Sequence, residues 1–91
     1  MKEYEWNNEK NEKLKQERGI SFEEIIIAIE NRNAIDVVPH PNQEKYPNQN
    51  VYIVNLNEYI FLIPFVENGN IIFLKTIIPS RKATKQYLKK R

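Results

Sequence analysis

Hydrophobic positions are spaced in three different ways along this chain, and each spacing predicts its own kind of element. Residues 7–17 read Asn-Asn-Glu-Lys-Asn-Glu-Lys-Leu-Lys-Gln-Glu, polar nearly all round, with Leu14 the sole apolar side chain. That pattern predicts a surface helix from Asn7 to about Glu17, held by Trp6 at one end and Leu14 in the middle. Asn7 caps its start, Gly19 after Arg18 is its stop, and the spacings Glu9–Lys13 and Lys13–Glu17 predict weak ion pairs. Ser21-Phe22-Glu23-Glu24 has the form of a capping box and opens a second helix, from Phe22 to about Asn31. Phe22, Ile25, Ile26 and Ile29 share its core face. Four isoleucines within residues 25–29 suit a strand equally well. The cap decides for helix.

Beyond Asn33 the period changes to two. Ala34-Ile35-Asp36-Val37-Val38 alternates as a strand, and Pro39 ends it. Residues 40–50 are rich in turn formers and make a long loop for so short a chain. Val51–Leu56 and Tyr59–Val66 follow as strands joined by a short hairpin around Asn57-Glu58. Glu67-Asn68-Gly69-Asn70 is the clearest turn, with Gly69 free to take a positive φ. Ile71–Ile78 is the last strand, stopped by Pro79, and Ser80 caps a basic helix from Arg81 to about Lys90. Pro64, inside a strand, predicts an edge or a bulge. The stretch through Trp6 is a short strand or an ordered arm. The whole order predicts an α+β fold: two N-terminal helices packed on one face of an antiparallel meander of about four strands, then a C-terminal basic helix.

Length and composition narrow the rest. Residues 1–91 suffice for one domain. A chain of this size buries only about 60–65% of the surface its unfolded form exposes, so disulfides, a metal or a partner must supplement the core. There is no cysteine and a single histidine, so no metal site is expected and a partner chain is the expected support. Two glycines are too few for a glycine-rich phosphate loop. No apolar run approaches the ~20 residues that span a bilayer, and Met1-Lys2-Glu3-Tyr4-Glu5 lacks the apolar core of a signal peptide. The expectation is a cytoplasmic protein without membrane contact.

The net charge of +2 conceals a segregation. Residues 1–30 balance to −3 and residues 31–70 to −2, whereas residues 71–91 carry Lys75, Arg81, Lys82, Lys85, Lys89, Lys90 and Arg91 without one acid, +7. Such asymmetry points to a polyanion or an acidic protein partner.

Three stretches resemble the BrnT-type toxins of bacterial type II toxin–antitoxin pairs. They are Tyr4-Glu5-Trp6-Asn7 with Lys10 following, then Gly19-Ile20-Ser21-Phe22-Glu23-Glu24, then Glu67-Asn68-Gly69 with a hydrophobic strand leading to Ile77-Ile78-Pro79-Ser80-Arg81-Lys82-Ala83-Thr84. Together they span nearly the whole chain in the family's order. Arg18 stands where the family has histidine before Gly19, and the loop with His40 and Tyr46 differs from common members. The resemblance implies a RelE-like ribonuclease fold and growth arrest by RNA cleavage without a cofactor. It also implies a cognate antitoxin that carries the DNA contact; the oligomeric state stays open, a dimer or a heterotetramer with the antitoxin being the candidates. An exposed edge strand or an apolar sheet face is where a second copy or an antitoxin segment would pair.

Metal-free RNA cleavage needs a base for the 2′-hydroxyl proton, cations for the charged phosphorane and an acid for the leaving oxygen. Lys75, Arg81 and His40 are the candidate catalytic residues, and Lys82, Lys85, Lys45 and Tyr46 the candidate RNA-binding ones. Lys75 alternates in phase with Ile71, Phe73 and Ile77, so it either snorkels from a frayed strand end or sits in a concave site. Three cations opening the last helix oppose its dipole, a local cost that phosphate binding would explain; a solvated helix face that also contacts the antitoxin is the plainer alternative. His40, the only side chain of a type that titrates near neutrality, is either a proton carrier or surface polarity between two prolines. Tyr46 either stacks on a base or pins the long loop, and Tyr87 is a further proton-handling candidate. Trp6 is assigned to packing, and Glu5 serves as a base only if it faces the cleft. A noncatalytic nucleic-acid-binding or protein-interaction module of the same fold is the alternative to an enzyme.

Overall fold

A computed structural model describes residues 2–88; the helix end expected near Lys90, with Lys89, Lys90 and Arg91, lies outside the described residues. The chain order is β1 (Glu3–Glu5), α1 (Asn8–Arg18), α2 (Phe22–Glu30), β2 (Ala34–Pro39), β3 (Gln49–Leu56), β4 (Tyr59–Asn68), β5 (Ile71–Leu74), β6 (Ile78–Pro79) and α3 (Arg81–Leu88). All strands join one sheet in the order β1-β5-β4-β3-β2, with β6 also on β4. The expected antiparallel meander is present from β2 to β6, but β1 adds to β5 in parallel, so the sheet is mixed. Three residues of β1 carried too little alternation to reveal that pairing.

Both helix starts are capped as expected. Asn7 accepts from Lys10 N–H, and Gly19 closes α1 in the left-handed region at φ 64°. Ser21 and Glu24 exchange the two bonds of a capping box. The predicted pairs Glu9–Lys13 and Lys13–Glu17 are not formed, and Glu12–Lys15 is the ion pair found on α1 among the described residues. The Glu12 contact raises the Lys15 pKa. Asn11 links the two helices: its side chain accepts from Phe22 N–H and donates to Glu23, both at 2.8 Å. That second bond holds the Glu23 carboxyl below its ordinary range.

Phe22, Ile25 and Ala28 of α2 with Leu14 of α1 pack on Val54, Ile63, Phe65, Ile72, Leu74 and Ile77. The two N-terminal helices thus cover one face of the sheet, with Trp6 stacked on Phe22 at 5.9 Å as a packing residue. Ile26 and Ile29 are only half-buried at the margin, while Ile27 points outward at 58% exposure. Helix α3 packs on the opposite face through Ala83, Tyr87 and Leu88 against Val38, Ile53, Ile60 and Leu62. Thr84 fastens it there, with its hydroxyl accepting from Ile60 N–H at 2.9 Å and donating to Ser80 O at 2.7 Å. The sheet therefore lies between two helical layers, which explains its strongly apolar central strands.

Two irregularities shape the sheet. Pro64, in the middle of central strand β4, has no N–H for its neighbour, although its carbonyl accepts from Lys75 N–H at 2.8 Å. Just past that point the last strand breaks: Leu74 pairs with Phe65 and Ile78 with Leu62, so four steps of one strand oppose three of the other. The expected strand Ile71–Ile78 is therefore two strands joined by a bulge at Lys75–Ile77. At the far edge, His40 N–H bonds inward to Gln49 O, so alternation turns the N–H positions of Val37 and Pro39 outward. Val37 N–H is taken by the Asp36 carboxylate and proline has none. An incoming strand loses both donors, so β2 is a poorer pairing edge than its exposed Ile35 and Val37 suggest.

Helix α2 ends in a Schellman arrangement, Asn33 N–H to Ala28 O and Arg32 N–H to Ile29 O, with Arg32 at φ 65° where glycine is the unstrained residue. Arg32→Gly should raise stability by about 0.5–1 kcal/mol, seen as a higher urea midpoint with an unchanged slope. Asn11→Ala should cost about 1–3 kcal/mol, because Phe22 N–H is left buried without its acceptor. A depressed carboxyl stabilises the fold above its unfolded pKa and loses that contribution as pH falls through the folded value. The same variant should therefore show a shallower loss of stability on acidification through the glutamate range.

Candidate nucleic-acid interface

The bulge and the long loop meet on the α3 face of the sheet. Loop 40–48 is folded tightly on itself. His40 Nδ1 accepts from Asn42 N–H at 3.0 Å, Asn42 Oδ1 accepts from Lys45 N–H at 3.1 Å, and Tyr46 N–H donates to Asn42 O at 2.9 Å. Gln43 spans the loop mouth, donating to His40 O at 2.7 Å and Gln49 O at 3.2 Å. The His40 and Tyr46 rings lie 4.5 Å apart, with Lys45 Nζ over the far ring at 5.4 Å from its centroid. His40 is half-buried between its two prolines, not a fully exposed surface residue.

His40, Tyr46, Gln49, Pro64, Lys75, Thr76 and Ile78 line a cleft of about 210 Å³. Register explains the convergence: Val38, Val51, Pro64 and Lys75 occupy successive strands of one row, and His40 and Gln49 the next. Lys75 shares its face with Ile71 and Phe73, as the alternation requires, and its ammonium stands 5.5 Å from the Phe73 ring centroid. Its expected phase with Ile77 is wrong. The extra residue of the bulge turns Ile77 into the helix-covered core, fully buried, while Lys75 stays on the other face. Lys75 has no ion pair among the described residues.

The remaining candidates are elsewhere. Arg81, Lys82 and Lys85 are exposed on α3 and do not line the cleft, although Arg81 follows its Ile78 wall by only three residues. Lys45 approaches only through Tyr46. Tyr87 is packed against the sheet, and Glu5, beside Phe73 on β1, is not part of the lining. Gln49, Thr76 and Ile78 were missed by sequence reasoning. Pro64 was the available signal for Thr76, since a proline in a central strand forces its neighbour out of register. Among the described residues no group of three His, Cys, Asp or Glu side chains is placed to hold a metal, and no helix is long and apolar enough to cross a membrane.

Chemically the cleft joins an ammonium with no ion pair among the described residues, an imidazole and a phenol ring above an apolar floor. With Nδ1 accepting from Asn42 N–H, the neutral His40 ring carries its proton on Nε2, which is left to donate a hydrogen bond. Comparison of the chain with known protein families, with curated proteins and with solved structures finds no match.

An Asn side chain can accept from the N–H two residues on, as His40 does. His40→Asn should therefore leave exchange of the Asn42 amide proton protected and stability within about 0.5 kcal/mol. His40→Ala should expose that amide and speed its exchange, read by hydrogen–deuterium exchange on loop peptides.

Proposed function

We propose that this chain is the toxin of a type II toxin–antitoxin pair, a RelE-like, metal-independent endoribonuclease held silent by a cognate antitoxin in the cytoplasm. The reading is supported above all by the cleft that gathers His40, Tyr46 and Lys75, residues drawn from a loop and a bulge far apart in sequence. The three BrnT-like stretches and the basic C-terminal segment agree with it. Cleavage then proceeds by attack of the 2′-hydroxyl on phosphorus, loss of its proton to a base and departure of the 5′-oxygen, leaving a cyclic phosphate and a free 5′-hydroxyl. Lys75 stabilises the added negative charge, His40 donates a hydrogen bond from Nε2 to a phosphate oxygen, and the departing 5′-oxygen takes its proton from water. Tyr46 stacks on an unpaired base, and Arg81, Lys82 and Lys85 hold flanking phosphates from α3.

A noncatalytic RNA-binding module is the second reading. It is favoured by the engagement of His40 Nδ1 and by the position of the α3 cations outside the cleft. Growth after induced expression of the chain alone, with total RNA examined in the same cells, separates the two. The toxin reading expects arrest with fragmented RNA, reversed by the antitoxin. Lys75→Ala and Arg81→Ala should each relieve arrest with the fold intact, and Lys75→Ala should slow cleavage on the order of 10²-fold. Full toxicity of both variants at matched expression would sink the assigned site. Normal growth and intact RNA, with the wild-type chain folded, would leave the binding module.

A further inference from the structure

On the other side of the bulge lies a second cleft, of about 200 Å³, lined by Lys10, Lys13, Leu14, Glu17 and Arg18 of α1 together with Thr76. Three cations face one carboxylate there. Arg18 is fixed in place, its guanidinium donating to Ile77 O at 3.2 Å across the rim of the sheet. Lys10 and Lys13 are exposed and, unlike Lys15, have no ion pair among the described residues. Thr76 lines this cleft and the His40 cleft alike. The rim between them is open, because β1 pairs only with Ile71–Phe73 and leaves the outer side of the bulge uncovered by any strand. Cations therefore run from Lys75 on one side of the rim to Arg18, Lys13 and Lys10 on the other.

We infer that the α1 cleft is a second phosphate-binding site, which takes the backbone of a single-stranded RNA as it leaves the His40 cleft over Thr76. This rests on the reading of that cleft as an RNA site. The lining of the α1 cleft has no aromatic face and no imidazole, and its one carboxylate, Glu17, stands among three cations, so it holds phosphate without reading bases. A flexible single strand suits the sharp rim, around which a stiff duplex cannot bend at that scale. The α1 cations lie in the part of the chain whose net charge is negative, so overall charge balance concealed them.

The test compares binding of a trinucleotide with binding of a single strand of about ten nucleotides, by fluorescence anisotropy across a salt series. Three proteins are compared: the wild type, Lys10→Gln/Lys13→Gln, and a charge-matched control, Lys2→Gln/Lys15→Gln, whose lysines are ion-paired and outside both clefts. Cleavage of the longer strand is followed in parallel. The expected result is a clear affinity gain with length in the wild type and the control, lost in the α1 variant. The salt slope of the α1 variant on the longer strand should also be smaller by about 1.4, two phosphates at ~0.7 each. No length gain in the wild type, an unaltered gain in the α1 variant, or an equal loss in the control would each overturn the second site. Cleavage with the gain unaltered would leave the proposed function standing and this inference false. A lost gain without cleavage by the wild type would do the reverse, and no RNA binding at all would remove both.

Discussion

A missing hydrogen-bond donor organises this molecule. Pro64 occupies a central strand, where every backbone donor is normally spent on a neighbour. The chain answers by inserting one residue in the facing strand. From that insertion follow the burial of Ile77, the exposure of Lys75, the place of half-buried Thr76 between the two clefts, and the open rim over which they adjoin. A regular strand from Ile71 to Ile78 would have kept Ile77 on the face of Lys75 and turned Thr76 and Ile78 toward α1 and α2 in its place.

The second organising constraint is the two-sided burial of the sheet. With α1 and α2 on one face and α3 on the other, both sets of alternating side chains in β3 and β4 must be apolar, and Val51, Ile53, Val54, Ile60, Ile63 and Phe65 all are buried. Helix α3 is too short to cover its whole face. The part it leaves bare is closed by the 40–48 loop, which makes His40 and Tyr46 cleft walls. The tilted ring contact with His40 holds Tyr46 half-buried, and the loop's own hydrogen bonds serve its backbone in place of a strand partner. The cleft wall and the closure of the sheet face therefore rest on the same residues, and a change in this loop acts on both.

The cations are distributed in keeping with that arrangement. Lys75 alone stands in the cleft, the α3 cations flank it on an exposed helix face, and the α1 cations lie across the rim. A small protein cannot bury several unpaired charges, so a polyanion site built on one must be a set of shallow features joined at the surface.

What the sequence determined by itself is local. The caps at Asn7, Ser21 and Ser80, the Gly19 stop, the hairpin at Asn57-Glu58 and the turn at Gly69 are encoded within a few residues, and all are found where their residues predict. So are the α+β class and the placement of α1 and α2 together on one face, because period and connection length constrain both. The parallel seat of β1, the layer taken by α3 and the meeting of His40 with Lys75 were decided only by tertiary structure. Each depends on which strands become neighbours and in what register, and register arises from pairing across the sheet. Pro64 marked in advance that the register would slip, but that the slip fell against β5 and not β3 was settled by which side its missing N–H faces.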